Sequence, residues 1–275
     1  MQGDSRYSSE RSAARALPMV PRRPKKWLNL VFDLNGILCM CVDAKSSGQR
    51  KSKQLSEEGF HYNPRRGESV GPKLVFSRPK VREFLSAVRE FAATVNIWSS
   101  MKHTTANQVA SYLFHELYFV DRVSGQDVCR TIKFSPGENA CLKNSNKPIF
   151  LKVLEETYYY LHEKKYNGDN TLLVDDSQEK SACNENGNVL ILPSWSKHDK
   201  EDDFLMGELL PWLIRLHECC GTGGLRDYVN KNRIGAPPLS ECRELLAEVV
   251  GYMEQAVKRG DKPFTIPSIG KVIRR

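Results

Sequence analysis

Acidic and hydroxyl-bearing segments follow three apolar stretches of this sequence. Asp33-Leu34-Asn35-Gly36 follows the first stretch, Ser99-Ser100 follows the second, and Asp175-Asp176-Ser177 follows the third. In a parallel sheet the carboxyl ends of the strands meet at one edge, where ligands bind, so three carboxylates and the two hydroxyls of Ser99-Ser100 would lie together there. Mg²⁺ prefers oxygen ligands and keeps waters and substrate oxygens in its coordination shell. The residues therefore predict a hard-cation site that can also hold a phosphate.

Apolar strands that alternate with amphipathic helices supply the scaffold for such an edge. The alternation predicts an α/β fold, a parallel sheet with helices on both faces, followed by a C-terminal helical extension. The predicted strands are 27–32, 73–76, 94–98, 171–174 and 189–192. The predicted helices are 81–92, a segment marked by Val109, Leu113 and Leu117, a segment marked by Leu151, Leu154, Tyr158 and Leu161, 204–216 and 238–257, with 121–148 irregular.

The charge of the 275-residue chain, +8 in total, is concentrated at its two ends. Residues 1–26 hold seven basic and two acidic side chains, and residues 258–275 hold six and one, so the body is near neutral. Nucleic-acid-binding domains carry their basic footprint on the folded body, so no direct nucleic-acid partner is expected. No window has the roughly 20 apolar residues of a membrane span.

Cysteine usage and the N-terminal segment bear on the compartment. The eight cysteines include no C-x-x-C pair, which favours reduced intracellular thiols over a disulfide framework or a zinc site. The basic run 21–26 (PRRPKK) resembles a nuclear address, and the Arg- and Ser-rich segment before it resembles a transit peptide. The predicted localisation is intracellular, nuclear in preference to cytoplasmic, with mitochondria as the alternative.

The motifs, taken in order, resemble the haloacid dehalogenase (HAD) superfamily. Within it they resemble the RNA polymerase II C-terminal-domain phosphatase homology family, the branch that includes the mitochondrial inner-membrane import receptor subunit. The first motif is similar to residues 30–38 (LVFDLNGIL), and the second is similar to 97–100 (IWSS). Residues 172–177 (LLVDDS) resemble the fourth motif. Arg78-Pro79 and the helix around 209–213 (LLPWL) resemble two further family segments.

The resemblance implies a role for each matching residue. Asp33 would be the nucleophile that takes up the phosphoryl group. Its carboxylate would bind Mg²⁺ together with Asp176 and the backbone carbonyl of Asn35, while Asp175 would sit behind these ligands. Ser99 would donate a hydrogen bond to the phosphate.

The third motif of the family requires one lysine, which binds phosphate and neutralises the nucleophile. Lys152, at the start of a predicted helix, is the best match, and Lys133, Lys143 and Lys147 remain alternatives because they lie nearby in sequence.

Asn35 departs from the family pattern, which has an aspartate there as general acid and base. A carboxamide can neither protonate a departing alkoxide nor deprotonate the attacking water. Loss of a positioned acid or base costs about 10²- to 10⁴-fold in rate, or roughly 3–5 kcal/mol of barrier. Two functions are therefore open: a Mg²⁺-dependent phosphatase for phosphoserine or phosphothreonine in proteins with a weakened acid step, and a degenerate phosphatase fold that binds protein segments.

The domain organisation expected from these patterns has three parts. Residues 1–26 form a basic N-terminus, 27–230 the phosphatase homology domain, and 231–275 a C-terminal helix and basic tail. A loop insertion spans 43–73 and holds seven basic and four acidic residues. It could dock a phosphorylated or acidic peptide, although a solvated loop is an equally good interpretation.

Overall fold

A computed structural model describes residues 25–44, 67–114, 120–133, 148–159, 165–199, 201–221 and 223–275. Its strands are β1 Asn29–Phe32, β2 Cys39–Asp43, β3 Glu68–Val70, β4 Lys73–Ser77, β5 Thr94–Trp98, β6 Arg122–Ser124, β7 Arg130–Ile132, β8 Ile149–Leu151, β9 Thr171–Asp175, β10 Val189–Ile191, β11 Phe264–Ile266 and β12 Lys271–Ile273. Its α-helices are α1 Val81–Phe91, α2 His103–Phe114, α3 Leu210–Cys220, α4 Leu225–Lys231 and α5 Arg243–Lys258.

A five-stranded parallel sheet forms the centre of the molecule, with the strand order β10-β9-β1-β5-β6. Four of its strands are the ones predicted from apolar runs, which confirms the α/β fold class. The fifth, β6, lies in the stretch 121–148 that was predicted to be irregular. That prediction was wrong because three residues at a sheet edge are too few to show a period.

The direction of the crossovers decides which face of the sheet each helix covers. The chain moves from β1 to β5 to β6 in one direction, so right-handed connections put α1 and α2 on the same face. There they pack with α3 and α4 over Leu30, Phe32 and Val174 in one continuous apolar core. The chain then returns past β1 to β9, and this reversal places the next connection on the opposite face.

Aromatic side chains cover that opposite face. Trp98 and Val31 of the sheet pack against Tyr158 and Tyr166. The predicted helix from Leu151 is only partly confirmed: 149–151 is a strand paired with β7, and a π-helical turn occupies Glu155–Tyr159. Residues 160–164 lie outside the described ranges.

A small antiparallel sheet with the order β2-β4-β3 follows directly after β1. The predicted strand 73–76 belongs to this sheet and not to the parallel one. Part of the predicted insertion is also regular structure, because β3 and the end of β2 fall within 43–73. Residues 45–66 are outside the described ranges, as is the basic segment 1–24.

The C-terminal residues form a second apolar core. Met253 of α5 packs with Phe264 of β11 and with Ile132 and Leu151 of the β7–β8 pair. The predicted helix is confirmed, whereas the predicted tail is a hairpin, β11 paired with β12. Among the described residues, no helix combines the length and the apolar character needed to cross a membrane.

Candidate functional site

Asp33 lies at the carboxyl end of the middle strand of the parallel sheet. Its backbone N–H donates to the Val174 carbonyl at 2.9 Å, so it leaves the sheet beside the end of β9. Its side chain points into the protein and the residue is only 1% exposed. The sequence places Asp33 directly after three buried apolar residues, Leu30–Phe32, and the pairing of β1 with β9 brings it to the Asp175-Asp176 segment.

The predicted meeting of three carboxylates at this edge is confirmed. Asp33, Asp175 and Asp176 each offer one oxygen, and these oxygens lie within 4.8 Å of one another. The turn after β1 leaves room for Asp176, because a Cβ at Gly36 would lie 2.0 Å from the Asp176 Oδ2 atom. Gly36 also has a φ of +89°, which side chains rarely adopt. The donor set is that of a hard divalent cation.

Lys152 reaches this cluster from the end of β8. Its Nζ atom donates to Asp175 Oδ2 at 2.5 Å and lies 3.2 Å from Asp33 Oδ1, and the side chain is fully buried. Its backbone carbonyl accepts a 2.6 Å hydrogen bond from the Asn184 amide, which fixes the main chain. Among the alternatives, Lys133 is exposed, and 143 and 147 lie outside the described residues.

Lys180 is a second lysine at the cluster, and the sequence motifs did not identify it. Its Nζ atom lies 4.0 Å from Asp33 Oδ2 and 3.9 Å from Asp176 Oδ1, with 21% of the side chain exposed. A single helical turn, Glu179–Ser181, folds the chain back after β9. The spacing of four residues from Asp176 was the available signal, because a helical turn brings such pairs together.

Burial and neighbouring charges act in opposite directions on the carboxylates. Burial, helped by the charge of Asp175 and opposed by that of Lys152, raises the pKa of Asp33 to about 6. Burial also opposes ionisation of Asp175, but Lys152 and Lys180 outweigh it and lower the pKa of that carboxyl overall. Asp175 is thus a fixed anion, whereas Asp33 changes its charge near neutral pH.

The two lysines are held in their charged forms. Burial would lower the pKa of both Lys152 and Lys180, but the adjacent carboxylates, Asp175 first among them, raise it above the ordinary value. With all five groups ionised, three carboxylates face two ammonium groups. The cluster then has an excess negative charge that a cation could neutralise.

Ser99 and Asn35 follow the adjacent strands β5 and β1 at the same edge of the sheet. Ser99 is buried after β5, and its Oγ atom accepts a 3.3 Å hydrogen bond from the Met101 N–H. Within the part of the chain that the structure describes, this hydroxyl donates no hydrogen bond. Asn35 is exposed, and its Oδ1 atom accepts a 2.7 Å hydrogen bond from the Cys41 N–H, so its amide helps to hold the turn between β1 and β2.

Residues 28–222 match the family model described as NLI interacting factor-like phosphatase. No curated protein matches the chain in sequence. A solved structure of a variant of the fission yeast RNA polymerase II CTD phosphatase Fcp1, bound to beryllium fluoride, is 13% identical, with a TM-score of 0.41 over 90% of this chain and 58% of that one. A second structure, of Fcp1 described as an essential RNA polymerase II CTD phosphatase, is 15% identical, with a TM-score of 0.41 over 88% and 69%. The chain thus spans less than two thirds of the first of these proteins.

Proposed function

Because the chain belongs to the NLI interacting factor-like phosphatase family, which confirms the HAD-type resemblance, we propose that it is a Mg²⁺-dependent phosphatase for phosphoserine or phosphothreonine in proteins. The observation that carries the proposal is the buried Asp33 at the end of the central strand, 3.2 Å from Lys152. An aspartate in this position can attack phosphorus and form an aspartyl-phosphate, which water then hydrolyses.

The residues present fit a Mg²⁺ ion. The carboxylates of Asp33 and Asp176 would hold it, together with the backbone carbonyl of Asn35, while Asp175 would position Lys152. When bound, the ion would supply positive charge to the phosphate oxygens and bring the anionic phosphate to an anionic site. The support for this assignment is the set of three converging carboxylates and the glycine at position 36 that lets Asp176 approach.

Two side chains would bind the phosphoryl group directly. Lys152 is already charged and touches Asp33, so it can neutralise the transferring group as the charge develops. Ser99 lies at the end of the neighbouring strand, and its free hydroxyl hydrogen can donate to a phosphate oxygen.

Proton donation to the leaving group is the step that this site supports least. Asn35 cannot give a proton to the departing serine or threonine oxygen, so substrates with acidic leaving groups should react fastest. The same residue favours the second candidate function, a phosphatase-fold module that binds protein segments, because a carboxamide supplies neither the acid nor the base that turnover needs, while its oxygen still accepts the Cys41 N–H and maintains the turn.

The test compares three proteins in Mg²⁺: the unaltered chain, Asp33→Asn and Asn35→Asp. An aryl phosphate, whose leaving group hardly needs an acid, and a phosphoserine peptide are the substrates. We expect the unaltered chain to cleave the aryl phosphate and Asp33→Asn to lose at least about 10³-fold in rate. Asn35→Asp should raise the rate on the phosphoserine peptide by about 10²- to 10⁴-fold. A carboxylate at position 35 can still accept from the Cys41 N–H, so the turn should be kept.

Two outcomes would contradict the proposal, one the enzyme and the other its nucleophile. If the unaltered chain is silent on both substrates while Asn35→Asp is active, the protein has given up turnover and the binding-module function stands. Activity that survives in Asp33→Asn would contradict the assignment of the nucleophile. Intact-mass spectra of each preparation control for deamidation of the Asn35-Gly36 sequence.

The substrate class and the compartment are parts of the same proposal. A phosphoprotein or a phosphorylated peptide segment is the proposed partner of this family member. A nuclear location agrees with such a substrate.

A further inference from the structure

Lys180 and Lys152 lie nearest to different oxygens of the same carboxylate, that of Asp33. Lys152 lies 3.2 Å from Asp33 Oδ1, whereas Lys180 lies 4.0 Å from Asp33 Oδ2 and 3.9 Å from Asp176 Oδ1. Asp33 and Asp176 are the two carboxylates that the proposed function assigns to Mg²⁺. The ammonium of Lys180 is therefore on the metal side of the cluster, and that of Lys152 is on the other side.

An ammonium group and a divalent ion cannot share this position. Mg²⁺ requires oxygen ligands at roughly 2.1 Å, so its ligands must close around it. A positive charge about 4 Å from the same oxygens would repel the ion and compete with it for the carboxylates.

The ammonium group of Lys180 can move away from the carboxylates more easily than that of Lys152. Lys152 is fully buried and donates a 2.5 Å hydrogen bond to Asp175, so it has no exit to solvent. Lys180 is 21% exposed and stands beyond hydrogen-bond distance from both of its carboxylates. Its four-carbon side chain can swing outward while its backbone stays in place, because the Lys180 carbonyl accepts a 2.7 Å hydrogen bond from the Lys152 N–H.

We propose that Lys180 is an internal competitor for the divalent cation. In the metal-free protein its ammonium group neutralises Asp33 and Asp176, and it leaves that position when Mg²⁺ binds. Lys180 thereby raises the Mg²⁺ concentration that the site requires. This inference rests on the proposed function only for the identity of the metal position.

Calorimetric titration of Mg²⁺ into the metal-free full chain tests the proposal without any measurement of activity. We expect Lys180→Met to bind Mg²⁺ at least about tenfold more tightly than the unaltered chain, because one repelling charge is removed. Lys180→Gln, which is neutral but polar, should show the same gain. Lys180→Arg keeps the charge and should bind no more tightly than the unaltered chain. Asp176→Asn should lose binding with or without Lys180.

Equal or weaker Mg²⁺ binding by both neutral variants would overturn the proposal, and so would the absence of Mg²⁺ binding from every variant. Thermal melting in a chelator verifies that each variant is folded, and Lys180→Gln replaces Lys180→Met if the latter unfolds. The result is separable from the proposed function: tighter binding by Lys180→Met, with no turnover of either substrate by any variant, would uphold the competition and reject the enzyme.

Discussion

Two groups of buried charged residues in this protein differ in their charge balance. Arg78 and Asp202 form a closed pair, with hydrogen bonds of 2.6 Å from Nε to Oδ2 and 2.9 Å from Nη2 to Oδ1. One cation meets one anion in planar, two-fold contact. At the sheet edge, by contrast, three carboxylates of the Asp33 cluster share two ammonium groups, so the charges do not cancel.

The difference separates a structural ion pair from the cluster proposed as the reactive site. Arg78 also donates to the Ile37 carbonyl at 3.0 Å, so the balanced pair ties the turn after β1 to the segment before α3. In the unbalanced cluster burial outweighs the neighbouring lysines at Asp33 and disfavours its charged form overall, whereas at Asp175 the lysines outweigh burial. Buried charge that is not fully compensated costs stability, and such groups concentrate at functional sites.

The largest expected effect comes from breaking the balanced pair. Arg78→Met leaves the Asp202 carboxylate buried without its cation, and we expect the free energy of unfolding to fall by about 3–5 kcal/mol. Urea unfolding at pH 7 measures it. The double variant Arg78→Met/Asp202→Leu should recover part of the loss, because no uncompensated charge then remains. A loss below about 1 kcal/mol in the single variant would mean that the pair is not structural.

Removal of a charge from the unbalanced cluster should raise the free energy of unfolding, the opposite of the effect of Arg78→Met. The pKa of Asp33 is raised from 3.8 to about 6 in the folded protein, so ionisation above that pH costs up to about 3 kcal/mol of stability. Asp33→Asn avoids this cost and should be more stable than the unaltered chain at pH 7.5 by as much as that amount.

The sign follows from proton uptake. Between pH 4 and pH 6 the folded state keeps the Asp33 proton that the unfolded state has lost, so stability falls as the pH rises through this window. At pH 4 the advantage of Asp33→Asn should vanish. Urea unfolding with a chelator at pH 4, 5, 6 and 7.5 gives the profile. An advantage that is the same at all four pH values would contradict the raised pKa as its cause.

The smallest effect on the free energy of unfolding is expected for an exposed ion pair next to the balanced one. Lys80 and Asp203 lie 2.7 Å apart, but both side chains are 55% exposed. Lys80→Gln should change the free energy of unfolding by no more than about 0.5 kcal/mol, since solvent screens such pairs. A loss comparable to that of Arg78→Met would show that burial is not what separates the two pairs.

The sequence was sufficient to predict the fold class and the residues that follow the central strands. Runs such as 30–32 and 172–174 are apolar because both faces of a parallel sheet are covered, so polar residues mark their ends. Asp33, Asp175 and Asp176 could be expected at one edge for this reason. Lys152 could be matched to a motif, but its hydrogen bond to Asp175 depends on a strand, β8, that three residues were too few to predict.

Other features could not be predicted because they join residues that are distant in sequence. The partner of Arg78 lies 124 residues away, and no local pattern links it to Asp202. The C-terminal hairpin was predicted to be a tail because its two strands have only three residues each. Its apolar residues form a core only when they pack against α5 and the β7–β8 pair.

By itself, the sequence determined which chemical groups this protein carries at the edge of its sheet, since strand ends follow from local hydrophobicity. Only the tertiary structure decided how those groups share their charges. Burial set the pKa of Asp33 near 6, and a helical turn after β9 brought Lys180 to the metal side of the cluster. Coulomb energies and desolvation depend on distances and on the exclusion of water, and both arise when the chain is folded.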